Sequence, residues 1–237
     1  MILITGGCSF SECVSENIDT WPRHLTRSLS CQHYSTAIGS QGNGLISRRV
    51  LHKVIQLLGT TDPSELLVGV MWSGHSRADF YHNDILPLSQ TKVMENPTGF
   101  VDDTTKNWVI MNHHWKDVYS VDYYKKYYND IGGMIYTLEH VLRTQWFLEK
   151  HGVGYFMSRF TNETFPRPVR DTEHLWNQVD WTSFIDGDGC YEWCRNNTNT
   201  KWDYDKQNNH PTTEQHKAYS DRVILPFLER RYGILPQ

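Results

Sequence analysis

The sequence predicts an α/β fold with three layers, α/β/α, around a mainly parallel sheet. Apolar runs of strand length alternate with longer segments in which apolar residues recur at helical spacing. Up to residue 73 the predicted order is β-α-β-α-β. Each apolar run stops at glycine or serine, which is typical of strands that end at one edge of a sheet covered by helices on both faces.

The first elements follow from local signals. A strand is predicted over residues 1–8, and a helix over 20–30, where Thr20 is a capping residue and Pro22 lies in the first turn. A second strand, "HYSTAIG", is predicted to run to Gly39. The glycine-rich turn "GSQGNG" then opens a helix over 43–58 with apolar residues on one side.

The remaining elements complete the predicted layers. "ELLVGVMWS" is a continuous apolar run, as expected of a strand covered on both faces. A long helix over 129–150 and the strand "VGYFMS" come next, and Pro211 begins a terminal helix. Residues 78–128 and 160–209 show little periodicity and are interpreted as two irregular insertions in a single domain that spans 1–237.

Composition and charge exclude several classes of function. The chain has 23 basic and 27 acidic residues, a formal net charge of -4 and no run of Lys or Arg, so nucleic acid is not an expected partner. No apolar stretch approaches the roughly 18 residues that span a bilayer, and no signal sequence precedes the first strand. We therefore expect a soluble, cytoplasmic protein that does not bind membranes.

The five cysteines have no framework spacing and indicate free thiols in a reducing compartment, although a lone disulfide stays open. Cys190 and Cys194 have no second Cys/His pair at zinc spacing, and the neighbours His113 and His114 cannot both ligate from one regular element. No metal and no cofactor are therefore assigned. The sequence does not indicate the oligomeric state.

The aromatic residues leave two interpretations open. There are 9 Trp and 13 Tyr, many of them between residues 108 and 204. They either cover a core under long loops or line a cleft that stacks on sugar rings or holds an acyl chain.

Small polar and glycine residues follow the first three predicted strands. Ser9, Gly39 and Ser73 each come just after a strand. In parallel sheets the reactive groups gather at the carboxyl ends of the strands, so these residues are expected along one edge. Cys8 beside Ser9 is a rival nucleophile, but neighbouring strand residues point to opposite faces, and Cys8 is predicted to pack in the core.

Four sequence blocks together resemble those of the SGNH (GDSL-type) hydrolases: "GGCSFSE", "AIGSQGNG", "MWSGHSR" and "NNHPTTEQH". The likeness extends from residue 6 to about residue 225, and the two irregular stretches contribute nothing to it. More narrowly, "GCSFS", "GNGLISRR" and the C-terminal "HP" are similar to small SGNH-like proteins of tailed bacteriophages. The resemblance implies a flavodoxin-like SGNH hydrolase architecture.

The resemblance also implies roles for individual residues. Ser9 matches the nucleophile and His210 the base. Gly39 matches the glycine whose N–H helps form the oxyanion hole, with Gly42 as the alternative. Ser73 stands where the family has an asparagine that binds the oxyanion, and Gln207 stands where it has the aspartate that orients the base.

Those two departures leave the orienting acid open. Gln207 offers an amide oxygen but no charge, whereas Asp205 or Asp203 could reach the histidine if the chain bends, and a backbone carbonyl would also serve. Losing the carboxylate of such a triad typically costs on the order of 10⁴ in rate. His75 and Arg77, shortly after Ser73, either bind an anionic group of the substrate or lie in a solvated loop.

The resulting prediction is a cofactor-independent serine hydrolase of SGNH type. Its substrate would be a small ester or an acylated glycan, cleaved by way of an acyl-enzyme. The alternative is a catalytically degenerate SGNH domain that acts as a glycan-binding or structural protein, including one of a virus particle. A phosphate-binding α/β domain ranks below both, because neither glycine-rich turn fits a known phosphate-binding motif.

Overall fold

The computed structural model describes residues 1–12, 18–81, 108–114, 118–198 and 209–236. The predicted residues Asp203, Asp205 and Gln207 lie outside these ranges. The strands are β1 (Ile2–Gly6), β2 (Gln32–Ser35), β3 (Leu66–Trp72), β4 (Ala78–Tyr81), β5 (Trp108–Met111) and β6 (Gly154–Arg159). The α-helices are α1 (Trp21–Leu29), α2 (Asn43–Leu58), α3 (Val118–Lys126), α4 (Asp130–Lys150), α5 (Arg170–Trp176), α6 (Cys190–Asn197), α7 (Thr213–Tyr219) and α8 (Leu225–Tyr232), with a π-helical turn, Ser220–Ile224, between the last two.

The main sheet has four parallel strands in the order β2-β1-β3-β6. The connection from β1 to β2 runs through α1 on one face of the sheet, and the connection from β2 to β3 runs through α2 on the other face. The direction in which strands are added to the sheet therefore reverses beside β1. In open α/β sheets this switch point forms a crevice at the carboxyl ends of the strands. The predicted α/β fold with a parallel sheet is confirmed, and the crevice lies where Ser9 follows β1.

The alternation of side chains along the strands divides the core into two layers. In β1, Ile4 faces the layer that α2 and α4 cover, whereas Leu3 faces the layer formed by α1 and the C-terminal helices. In β3, Val68 faces the layer of α2 and α4, and Met71 faces the layer of α1 and the C-terminal helices. This period of two explains why continuous apolar strands pack between helices on both faces.

The second strand is shorter than predicted, because it ends at Ser35 rather than at Gly39. The next residue, Thr36, donates to Thr5 O through both its N–H and its hydroxyl, and its own carbonyl accepts from Gln41 and Arg49 instead of a neighbouring strand. The chain therefore leaves the sheet early, and this positions the following turn above β1.

The two stretches interpreted as irregular contain regular elements where they are described. The first holds β4 and β5, which pair in antiparallel fashion, together with α3; the second holds α5 and α6. These elements span only four to nine residues, too few for a repeating apolar pattern to become visible. In the described part of the chain, no helix has the length and apolar character to cross a membrane.

Candidate active site

A tight turn holds Ser9 just beyond the carboxyl end of β1. Ser11 N–H donates to Cys8 O over 2.9 Å, which closes the turn around Ser9, and Trp21 Nε1–H donates to Ser11 Oγ over 3.0 Å. A Cβ on Gly7 would lie 2.4 Å from Ser11 Oγ and 3.0 Å from Met71 O. Gly7 is therefore required, because a side chain at this position would clash with the turn and with the end of β3.

Ser9 and His210 form a hydrogen bond between their side chains. Ser9 Oγ lies 2.7 Å from His210 Nε2, and both residues are half-buried. The Phe10 ring packs against the imidazole with ring centroids 5.0 Å apart. Asp19 N–H donates to Thr213 Oγ1 over 3.1 Å, so the start of α7 is tied to the segment that leads into α1. The predicted juxtaposition of Ser9 and His210 is confirmed.

Two backbone N–H groups beside Ser9 are candidates to bind an oxyanion. Ile38 N–H donates to Gly7 O over 3.3 Å, which brings the turn after β2 against the turn after β1. Within the described ranges, no acceptor takes the N–H of Ser9 or of Gly39. Gly42 N–H, by contrast, donates to Asp79 Oδ1 over 2.8 Å. Of the two glycines considered, Gly39 is the one whose N–H remains available.

The side chain of Ser73, predicted to bind the oxyanion, makes a hydrogen bond within the protein. It is fully buried, and its hydroxyl donates to Gln41 O over 3.0 Å. A serine has one hydroxyl proton, and this bond uses it, so in this arrangement the side chain cannot donate to an oxyanion. Its backbone N–H donates to Asn43 Oδ1 over 2.8 Å. In this arrangement Ser73 joins the turn after β2 to the end of β3.

Two residues that organise this edge were missed by the sequence analysis. Asn43 Nδ2 donates to Ser73 O and to Thr137 Oγ1, both over 3.0 Å, so one amide side chain links α2, β3 and α4. Asp79 accepts from Gly42 N–H and, over 3.0 Å, from Leu45 N–H, which satisfies the first turn of α2. Neither contact has a local signal, because the partners lie at least 30 positions apart along the chain.

Asp79 is also electrostatically unusual. Burial raises the pKa of its carboxyl to about 6, because the loss of solvation outweighs the opposite effect of the two N–H donors. The group therefore carries a proton in a substantial fraction of molecules at mildly acidic pH.

The other predicted residues occupy several environments. Cys8 is fully buried, as predicted, and so are Cys190 and Cys194, whose sulfur atoms lie 3.9 Å apart within α6. The rings of His113 and His114 lie 3.7 Å apart, at the start of the chain after β5. In the described ranges, no group of three His, Cys, Asp or Glu side chains is arranged to hold a metal ion.

His75 lines two cavities, of about 630 Å³ and 410 Å³, and Arg77 lines the smaller of them. His75 Nε2 lies 3.7 Å from Asp130 Oδ1, and the guanidinium of Arg77 lies 5.0 Å from the centre of the Phe160 ring. Phe160 in turn contacts Phe10, with centroids 5.4 Å apart, so packed aromatic rings connect the turn of Ser9 to the cavity walls.

Comparison with known proteins gives a structural likeness but no sequence match. The sequence matches no family model and no curated protein. Among solved structures, the chain is similar to a protein from Desulfitobacterium hafniense DCB-2 that is described provisionally as a lipolytic protein of the G-D-S-L family. The two chains are 11% identical, the superposition covers 97% of this chain and 98% of the other, and the TM-score is 0.47.

Proposed function

We propose that the chain is a serine hydrolase of SGNH type that cleaves an ester through an acyl-enzyme and needs no cofactor. The hydrogen bond of 2.7 Å between Ser9 Oγ and His210 Nε2 is the observation that supports the proposal most directly. A serine hydroxyl becomes a nucleophile when a neighbouring imidazole can take its proton. The position of the pair, at the switch point of a parallel sheet, is the usual place for a ligand in such folds.

The chemistry follows from these groups. Ser9 Oγ attacks the carbonyl carbon of the ester as its proton passes to His210 Nε2. The carbonyl oxygen takes up the negative charge, which the N–H groups of Ser9 and Gly39 stabilise. His210 then gives the proton to the departing alcohol, which leaves the acyl group on Ser9. A water molecule attacks this acyl-enzyme while His210 accepts its proton, and return of the proton to Ser9 releases the acid.

The substrate in this proposal is a small ester, with O-acetyl groups on a carbohydrate as the favoured case. Tyr124 and Tyr128 line the cavity of about 630 Å³ with Ile131 and Met134, which provides rings and apolar surface for a sugar or a short acyl group. The resemblance assigns Gln207 to the position that orients His210, and Asp205 is the alternative.

A labelling experiment tests the proposal. A fluorophosphonate probe should label the wild-type protein and should not label Ser9→Ala. Cys8→Ala is the matched control and should keep its labelling, because the Cys8 thiol is buried in the core. If Ser9→Ala is labelled as strongly as the wild type, Ser9 is not the nucleophile and the mechanism is wrong.

One observation favours the second candidate, a degenerate SGNH domain that binds a glycan or serves a structural role, as in a virus particle. The hydroxyl of Ser73 is already used within the protein, so the side-chain oxyanion donor implied by the resemblance is missing. If wild type and Ser9→Ala hydrolyse p-nitrophenyl acetate equally slowly and neither is labelled, this second candidate becomes the better account.

A further inference from the structure

A groove on the outer side of α2 has cationic and aromatic walls. It has a volume of about 650 Å³ and lies between α2, α4 and the β4–β5 pair. Residues at positions i, i+3, i+4 and i+7 of one helix share a face, and four such residues of α2 form one wall. The lining residues are Arg48, Leu51, His52, Ile55, Tyr81, Trp108 and Arg143. None of these described lining residues is acidic.

The two arginines are held in place by neutral groups. The guanidinium of Arg48 lies over the Trp108 ring, 4.7 Å from its centre. Arg143 donates through Nε to Ser47 Oγ over 3.2 Å and through Nη2 to Gly44 O over 3.4 Å. Both are anchored, and no carboxylate of the described ranges forms an ion pair with either of them.

The groups around the groove repel one another. Burial and the charge of Arg48 lower the pKa of Arg143. Burial, then the charges of Arg143 and Arg48, lower the pKa of the neighbouring His140 to about 4, so its imidazole is neutral at pH 7. The charge of Arg48 also acts to lower the pKa of Asp79. The carboxyl of Asp79, however, accepts hydrogen bonds from the first turn of α2. Like charges held close together without an acid between them favour a bound anion.

The apolar part of the groove offers contacts to a ring. Tyr81 and Trp108 are paired across β4 and β5, and their rings meet edge to face with centroids 5.7 Å apart. Ile55, on the opposite wall, is 55% exposed. Exposed aromatic and aliphatic side chains beside a cationic pair suit a ligand that has both a ring and an oxyanion.

We propose that this groove binds a small ligand in which a ring carries a carboxylate or phosphate group. The oxyanion lies between the guanidinium groups of Arg48 and Arg143, and the ring contacts Tyr81, Trp108 and the exposed face of α2. This site does not include Ser9 or His210, and it does not depend on the proposed hydrolase activity.

Calorimetric titration with phenyl phosphate and with benzoate tests the site. The first ligand carries a phosphate and the second a carboxylate, so the two titrations show which oxyanion the groove binds. At least one of them should bind, and phenol, which has the ring but no anionic group, should not bind measurably. Arg48→Gln and Arg143→Gln should each weaken binding about tenfold or more, as expected for loss of a charge-assisted hydrogen bond. Ser9→Ala should bind as the wild type does.

The matched control is Arg222→Gln, which removes an equal charge from an exposed residue outside the groove. It should leave the affinity unchanged, and the thermal midpoint of every variant should show that it is folded. The proposal is wrong if neither anion binds at millimolar concentration, if phenol binds as tightly as the anions, or if the affinity is unchanged in either groove variant. It is also wrong if Arg222→Gln or Ser9→Ala weakens binding as much as the groove variants do.

Discussion

Asn43 and Ser73 hold each other through a reciprocal pair of hydrogen bonds, one from Ser73 N–H to Asn43 Oδ1 and one from Asn43 Nδ2 to Ser73 O. Their distances are 2.8 and 3.0 Å, and both residues are buried. The pair joins the first residue of α2 to the residue that follows β3. The turn that carries Gly39 is therefore fixed to the central part of the sheet.

This arrangement predicts a small catalytic effect for Ser73→Ala. The substitution removes the hydroxyl bond to Gln41 O and should lower the free energy of unfolding by about 1 kcal/mol. Its rate of ester hydrolysis should stay within a few-fold of the wild type, measured with p-nitrophenyl acetate. A loss of about 10² to 10³ in kcat, typical of a missing oxyanion donor, would restore the role that the resemblance implies for Ser73. Asn43→Ala is the comparison and should lower both stability and rate.

Gly7→Ala should disrupt the turn that presents Ser9. The new methyl group would meet Ser11 Oγ and Met71 O, and overpacking of this kind typically costs about 1 to 3 kcal/mol. Because Ser11 closes the turn, displacement of Ser11 should also move Ser9 away from His210 and reduce labelling by a fluorophosphonate. Chemical unfolding and labelling measure the two effects.

Gly59→Ala is the control for the glycine substitution. Gly59 has φ −71°, and the nearest atom to an added Cβ would be Gln56 O at 3.7 Å. It should keep full labelling and change the free energy of unfolding by no more than about 1 kcal/mol. Equal effects of the two substitutions would contradict the packing argument for Gly7.

Acidic pH should destabilise the fold through His216. Burial lowers the pKa of its imidazole to about 3, with smaller contributions from His24 and His210, against an ordinary value of 6.5. Between these values the unfolded chain binds the proton and the folded chain does not, so stability falls as the pH falls through 6.5. From pH 7 to pH 5 the loss from this group is roughly 2 kcal/mol.

His216→Leu should remove this part of the pH dependence. The variant's free energy of unfolding should fall less between pH 7 and pH 5 than that of the wild type, measured by urea unfolding at both values. Asp79 acts in the opposite direction, since its raised pKa favours the folded state at low pH, and it is present in both proteins. Identical pH slopes in the two proteins would show that His216 is solvated or protonated in the folded state.

The orienting residue of His210 can be identified by two substitutions. We expect Gln207→Asp to raise the rate of p-nitrophenyl acetate hydrolysis, because a carboxylate at that position would stabilise the imidazolium that forms during attack. Asp205→Ala should then have little effect. A loss of several orders of magnitude in Asp205→Ala, with no gain in Gln207→Asp, would instead assign the role to Asp205.

The features that the sequence predicted correctly depend on local patterns. The helix predicted over 43–58 has the same bounds in the structure, because its apolar residues repeat over four turns and the glycine-rich turn marks its start. The proximity of Ser9 and His210 was predicted from the sequence blocks that carry the resemblance. The structure confirms it, because their side chains form a hydrogen bond.

The features that the sequence did not predict depend on long-range contacts. The hydroxyl of Ser73 donates to Gln41 O, 32 positions away, and the carboxyl of Asp79 accepts from Gly42 N–H, 37 positions away. No pattern within either segment distinguishes these partners from solvent. The second strand was predicted too long for the same reason, since apolar residues continue beyond Ser35 while the carbonyl of Thr36 accepts from the side chains of Gln41 and Arg49.

The separation of Ser9 and His210 along the chain has a consequence for the order of folding. The two residues are 201 positions apart, and the histidine reaches the serine only when α7 has docked beside α1. Closing so long a loop is slow compared with forming the local helices, so the sheet can assemble around β1 before the pair exists. During synthesis on a ribosome, the pair of Ser9 and His210 would therefore form only after α7 had emerged and packed. The time at which fluorophosphonate labelling begins would then report the final docking step.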